Sequence, residues 1–328
     1  MKDILYQTPD NPFPDPTGNR HVAGYFRTRD GKSLRYALFK ADAPRAKGTI
    51  VLVHGRNECI EKYYETISDL LKTGLWVATF DWRGQGGSER LLPNHSAGYV
   101  ERFVDYEHDL EDFLTQVVLP DARLPFFLVA HSAGALVALS AAPRLTTRIE
   151  RMVLCAPFIA LGGQRLGQRG VRLLTNVMSR IGLKRMIVAR NRHNQPFADN
   201  RLTHDERRFR RNQAIFGSAP LLAPSSPTAR WISEALGRID VVRHQDHLAA
   251  IQIPTLILAA GGDQIVPLRA IEELGTLFRA GRVITVDQAR HELFQESDIY
   301  REPALAAITA FLPGAEAEQE QDALSISS

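Results

Sequence analysis

The sequence predicts a doubly wound, mostly parallel α/β sheet with a helical lid inserted into it, and three observations carry that prediction. Short apolar runs alternate with stretches of helical periodicity. The runs are continuous rather than alternating, as in parallel strands buried on both faces. The alternation lapses for nearly a hundred residues after Pro157 and then resumes at Pro254. At 328 residues and 44% hydrophobic content, the chain is long enough to bury one large core with an insertion.

Residues 1–20, rich in Pro, Asp and Asn, read as an irregular arm. The arm leads into YFRTRDGKSLRYALFKA, where Asp30-Gly31 divides two β-rich runs and predicts a hairpin. Six apolar runs follow: TIVLVHG (49–55), LWVATFDWRG (75–84), PFFLVAHSAG (125–134), ERMVLCAP (150–157), PTLILAAGGD (254–263) and RVITVD (282–287). Between them, residues 60–73 place Tyr63, Ile67, Leu70 and Leu71 on one helical face. Residues 100–118 do the same with Phe103, Tyr106, Leu110, Phe113 and Leu114. The expected core is therefore 21–157 with 250–314, the lid 158–249, and 315–328 an acidic, polar, disordered tail.

Bulk properties remove some function classes. A net charge of +3, from 40 basic against 37 acidic residues, is too balanced to indicate nucleic acid. Cys59 and Cys155 are too few for a disulfide framework or a cysteine-built zinc site, and read as reduced and structural. His244-x-x-His247 has no third ligand in view, so neither a metal nor a cofactor is expected. No apolar leader or membrane-length run occurs, which leads to the expectation of a cytoplasmic protein, with peripheral contact at the inner membrane surface left open.

The tetrapeptide HSAG occurs twice, at 95–98 and 131–134. A nucleophilic serine needs a tight turn at the end of a strand, with a helix N-terminus behind it to favour developing negative charge. Ser132 has that context, between the run Phe126–Ala130 and the small-residue helix that starts at Gly134. Ala130 stands two before the serine, where a small residue is required. Ser96 follows Leu92-Pro93-Asn94, a turn, and reads as part of a loop feeding a helix that opens at Tyr99–Glu101. A serine nucleophile needs a base, and the base needs an acid. Asp263 and His291 sit at the carboxyl ends of the last two strand runs, where a switch-point site would need them. The oxyanion donors expected are the N–H of Ala133 and the N–H of Arg56, ahead of that of Asn57. His54 reads as a packing residue beneath that loop.

These residues resemble the α/β-hydrolase superfamily, and in particular its serine hydrolases of the monoacylglycerol lipase and bacterial lysophospholipase L2 type, which share a fold with the S33 aminopeptidases. The matching segments are HGRNE (54–58), DWRGQGGS (81–88), GYVERFVDYEHDL (98–110), AHSAG (130–134), CAP (155–157), IPTLILAAGGDQIVP (253–267) and ARHEL (289–293). In the lid, LTHDERRFRRN (202–212) and PTARWISEAL (227–236) are similar to the lysophospholipase L2 group. The resemblance implies Ser132, Asp263 and His291 as the catalytic triad, with Arg56 and Ala133 as oxyanion donors. Ala130 departs from the usual glycine, and Arg56 and Asn57 replace the small residues of many lipases.

From Arg165 to Arg211 the lid carries thirteen basic residues against three acidic ones, a local charge near +10. Two readings stand: a solvated helical face, or a surface that meets an anionic membrane or a phosphate-bearing substrate. On the second, Asn57, Arg207, Arg208 and Arg211 contact substrate. Leu173, Leu174, Val177, Met178, Ile181, Leu183, Met186 and Ile187 either line an acyl channel or form buried lid faces. The expected activity is hydrolysis of a small lipid or other acyl ester through an acyl-enzyme, and no nucleic-acid partner is expected. An amidase or aminopeptidase with the same triad, and a non-catalytic ligand binder on the same fold, are the alternatives.

Overall fold

Eight strands form one sheet, and all but the first two connections within it are parallel. The computed structural model describes residues 4–6, 21–42, 46–162, 167–189 and 195–312. The strands are β1 (His21–Arg27), β2 (Ser33–Phe39), β3 (Thr49–Val53), β4 (Trp76–Phe80), β5 (Phe126–His131), β6 (Arg151–Cys155), β7 (Thr255–Ala260) and β8 (Gly281–Val286). Their order across the sheet is β1-β2-β4-β3-β5-β6-β7-β8. β1 and β2 form the expected hairpin, and β2 also runs antiparallel to β4. Every other pairing is parallel.

Successive residues of a strand face opposite sides of the sheet, and the core divides accordingly. Val51, Val53, Leu128 and Ala130 face one apolar cluster, while Ile50, Leu52, Phe127 and Val129 face the other. The first is covered by α2 (Val104–Phe113), α3 (Ser132–Leu145), α6 (Ala229–Val242) and α7 (Leu268–Leu277). The second is covered by α1 (Tyr64–Leu71) and α8 (Asp298–Phe311). β3, β5 and β7 are buried along their whole length, as their unbroken apolar runs predict. β8 departs from that expectation, because it is the edge of the sheet and alternates, with Ile284 47% exposed.

The helix after the first HSAG begins at Val104, later than expected, because Ala97-Gly98 is drawn into a short parallel ladder with Ser226-Pro227 of the insertion. Ser96 lies exposed in the turn before that ladder and its carbonyl accepts from Ser226 N–H at 2.8 Å. Within the arm, Leu5 is buried and the Ile4 carbonyl accepts from Arg35 at 3.1 Å. The rest of the arm, the segment 315–328 and the basic residues Arg165, Arg190 and Arg192 lie outside the described residues.

Between β6 and β7 the chain leaves the sheet and builds α4 (Gln168–Arg180), α5 (Glu206–Ser218) and α6. α4 packs on α6. α5 is held to the core by charge. Arg208 is 2% exposed and grips Glu65 of α1 through Nε and Nη2, at 2.9 and 2.6 Å. It also reaches Asp205 at 2.9 Å and Asp298 at 2.7 Å. Arg211 donates to the same Glu65 and, at 2.7 Å, to Gln295. Buried guanidinium groups require such partners, so these arginines are structural ties and not the substrate contacts the sequence suggested. Arg207 stays exposed, 3.9 Å from Glu65.

Burial alone would raise the pKa of Glu65, but the hydrogen bonds from Arg208 and Arg211 outweigh it and bring it to about 2, against an ordinary 4.5. A carboxylate whose pKa is lowered on folding contributes stability above its unfolded value and loses it as pH falls through the folded one. Glu65→Gln should therefore cost about 2 kcal/mol at neutral pH, discounted for the partial exposure of the group. The difference from wild type should shrink from about pH 4.5 towards pH 2. Urea unfolding midpoints at pH 7 and pH 3 measure it, and a difference independent of pH would contradict the assignment.

Candidate active site

Four loops at the carboxyl ends of β3, β5, β7 and β8 converge on one cavity. Ser132 follows β5 directly and has φ of +49°, a left-handed conformation that non-glycine residues adopt only when their surroundings impose it. Two residues on, a side chain at Gly134 would place its Cβ 2.4 Å from the His54 carbonyl oxygen and 2.9 Å from that of Val53. Only glycine fits so close an approach of backbones. Ala130 lies on the strand itself, opposite Val53 and fully buried, where its methyl is part of the core.

His291 Nε2 lies 2.8 Å from Ser132 Oγ, and His291 Nδ1 lies 2.7 Å from Asp263 Oδ2. A carboxylate accepts only, so Nδ1 carries the proton and Nε2 is left to accept from the serine hydroxyl. The other Asp263 oxygen accepts from the N–H groups of Ile265 and Val266, at 2.7 and 3.1 Å, which fixes the carboxylate's orientation. The Asp263 side chain is sealed from solvent, whereas Ser132 is reachable from the cavity. The structure thus brings together the three residues the sequence singled out.

In the loop after β3, the Asn57 N–H is committed to Gln85 Oε1 at 2.6 Å. That leaves the Arg56 N–H as the donor this loop offers. Ala133 stands in the first turn of α3, where backbone N–H groups lack an intrahelical acceptor. The Asn57 side chain borders the cavity but is also tied to the lid, accepting from Ser225 N–H at 3.0 Å. His54 lies beneath the loop, its Nε2 3.2 Å from Asp81 Oδ1 and its Nδ1 2.8 Å from the Gly55 carbonyl oxygen. His247 bonds the Leu139 carbonyl at 3.0 Å, and among the described residues no cluster of metal-ligating side chains occurs.

A buried polar hub, unassigned from the sequence, lies under the site. Glu58 accepts from the Gly55 N–H, from Tyr63 Oη at 2.8 Å and from Lys62 Nζ at 2.7 Å, with His131 Nδ1 3.1 Å away. His131 Nε2 faces the His291 carbonyl oxygen at 3.1 Å. Nδ1 also lies 3.3 Å from the Tyr63 hydroxyl, and with the Glu58 carboxylate on one side and a carbonyl on the other the surroundings favour the protonated ring. Burial alone would lower its pKa, but the Glu58 carboxylate outweighs burial and raises it. Lys62 also donates to Glu292 at 2.7 Å. Both residues were visible, Glu58 as the last letter of HGRNE and His131 beside the serine, but no local pattern says that they meet.

The cavity has a volume of about 680 Å³. Phe158, Leu161, Val171, Leu174, Met178, Trp231, Ile232 and Ile265 make an apolar wall, and Lys62, Glu292, Asn212 and Gln213 contribute a polar one. Arg207, Arg208 and Arg211 do not border it. Of the lid apolar residues, Leu174 and Met178 reach it, whereas Leu173, Val177, Ile181, Leu183 and Met186 are exposed.

This sheet order, with a serine on a strained strand-to-helix turn and a histidine and carboxylate on later loops, defines an α/β-hydrolase. A family model described as serine aminopeptidase, S33, matches residues 44–298. Lysophospholipase L2 of Escherichia coli (strain K12) is 30% identical over 294 residues, covering 86% of this chain and 84% of that protein. The probable lysophospholipase L2 of Haemophilus influenzae is 30% identical over 267 residues, covering 80% and 83%. Among solved structures, a soluble variant of monoglyceride lipase from Saccharomyces cerevisiae has the same fold, with a TM-score of 0.72 at 20% identity over 93% of this chain and 99% of that one. The chain belongs to the serine aminopeptidase S33 family of α/β-hydrolases.

Glu58 joins three loops and compensates two buried cations. Glu58→Gln should therefore lower stability by about 3–5 kcal/mol, the usual cost of removing one partner from a buried ionic set. Urea unfolding at pH 7 reads this directly; a loss below about 1 kcal/mol would mean that the hub is not a stabilising constraint.

Proposed function

We propose that this chain is a carboxylic ester hydrolase that cleaves a lysophospholipid or a monoacylglycerol through an acyl-enzyme on Ser132. The observation that carries the reading is the Ser132–His291–Asp263 hydrogen-bonded chain opening into a cavity with a long apolar wall. Ser132 Oγ attacks the acyl carbonyl as His291 Nε2 takes its proton. Asp263 holds the ring in the required tautomer and stabilises the imidazolium. The Arg56 and Ala133 N–H groups receive the oxyanion. His291 then protonates the departing alcohol, and a water attacks the acyl-enzyme by the same route in reverse. The names of the lysophospholipase L2 relatives support a lipid ester as substrate.

A peripheral encounter with an anionic membrane surface is the second part of the proposal. Along α4, Leu173, Leu174, Val177 and Ile181 are 46–67% exposed at helical spacing, and Arg169, Arg180 and Arg185 are exposed beside this stretch. An apolar stripe flanked by basic residues is the pattern of an interfacial helix. Among the described residues no helix is long and apolar enough to cross a membrane.

The aminopeptidase reading needs a carboxylate free to hold a substrate ammonium. Glu58 and Glu292 border the cavity, but both hydrogen-bond Lys62 at 2.7 Å. A panel of p-nitrophenyl acyl esters, lysophospholipids, monoacylglycerols and aminoacyl-arylamides separates the readings. The esters should be the faster substrates, and Ser132→Ala should lower kcat by about 10⁴-fold or more. Faster turnover of the arylamides, or full activity of Ser132→Ala, would overturn the proposal.

A further inference from the structure

The Arg56 side chain is a cation without a carboxylate. Its guanidinium lies over the Trp231 ring, 4.9 Å from the centroid. One fork nitrogen donates to the Ser225 carbonyl at 2.9 Å and to Asn57 Oδ1 at 3.2 Å. Among the described residues Nε and the other fork nitrogen have no hydrogen bond, and both Arg56 and Trp231 border the cavity that holds Ser132. Desolvation lowers its pKa only to about 10, so it is charged at neutral pH.

The other arginines set this apart. Arg35, Arg83, Arg208, Arg211 and Arg301 are buried, and each touches a carboxylate. The half-buried Arg90, Arg151 and Arg290 also lack one, but each donates to backbone carbonyls and none borders the cavity. Lys62 and His131, which also border the cavity, face the carboxylates of Glu58 and Glu292. Arg56 is half-buried, and a charge partly withdrawn from water without a counter-ion is costly unless something supplies one. The ring beneath it holds the planar fork in a fixed attitude, with donors left over for a planar or tetrahedral oxyanion.

We infer that the Arg56 guanidinium is the specificity determinant of this site, and that it binds an anionic oxygen group of the lipid, a head-group phosphodiester or a fatty-acid carboxylate. The inference rests on the ester-hydrolase reading for the identity of the lipid, but its test does not require turnover. In this role the side chain acts separately from the Arg56 backbone N–H, which any substitution except proline retains.

Binding of oleoyl lysophosphatidylglycerol, oleate and monooleoylglycerol is measured on Ser132→Ala protein by tryptophan fluorescence, with and without Arg56→Gln, in one neutral detergent. Arg56→Gln should weaken binding of one or both anionic lipids about 10- to 100-fold more than that of monooleoylglycerol, as expected for loss of a charge-assisted hydrogen bond. Selective loss of the lysophospholipid names the phosphodiester as the group bound; selective loss of oleate names the carboxylate. Arg56→Lys, which keeps the charge but not the fork, should fall between the two. An equal change for all three lipids, with Arg56→Lys behaving alike, would overturn the inference. Failure to hydrolyse any ester would instead count against the ester-hydrolase reading and leave this comparison standing.

Discussion

The arrangement of this site depends on one buried carboxylate. Glu58 touches the backbone of the β3 loop at Gly55, the elbow through His131, and α1's approach through Lys62 and Tyr63. Through His131 and Lys62 it extends to the histidine loop, at the His291 carbonyl and at Glu292. Three loops that come from separate strands are therefore referred to a single point, 3–5% exposed around its groups Glu58, Lys62 and His131. In so dry a setting each charge needs its partner, and losing one member strands the rest. The loops cannot drift independently, and this holds Ser132 and His291 within hydrogen-bond reach.

Backbone packing completes the constraint. The serine's positive φ is uphill for any residue but glycine, and it persists because β5 enters and α3 leaves along fully buried faces. Gly134 lets α3 approach the His54 carbonyl, which also accepts from Trp82 Nε1 at 2.7 Å. The insertion between β6 and β7 is fastened where Arg208 and Arg211 bind Glu65 and Gln295. Two arginines of the insertion, Arg208 and Arg211, are thus spent inside the molecule. Facing outward are the apolar stripe of α4 with its neighbouring arginines, and Arg201, Arg207 and Arg210.

The strands were legible because burial on both faces leaves unbroken apolar runs, and β3, β5 and β7 match theirs closely. β8 has the same kind of run, yet its edge position depends on which strands pair, a non-local fact. The start of α2 was misjudged for a similar reason, since Ala97-Gly98 pairs with a segment more than a hundred residues away. Ser132, Asp263 and His291 could be found because each ends a strand in a set order. Glu58 and His131 could not, because a buried hub has no spacing rule and its members are ordinary polar letters. The arginines of α5 misled for the opposite reason. Their charge was plain, but whether it meets solvent, substrate or Glu65 is decided by tertiary contact.

In the proposed mechanism Ser132 is the nucleophile, activated by His291 and reached through the apolar cavity. Intact-protein mass spectrometry after exposure to an alkyl fluorophosphonate, with the adduct then mapped by peptide sequencing, tests it most directly. One adduct per chain on Ser132, absent from His291→Ala protein that remains folded, is the predicted result. A folded protein that takes up no label, or takes it up on Ser96 or another serine, would contradict the account.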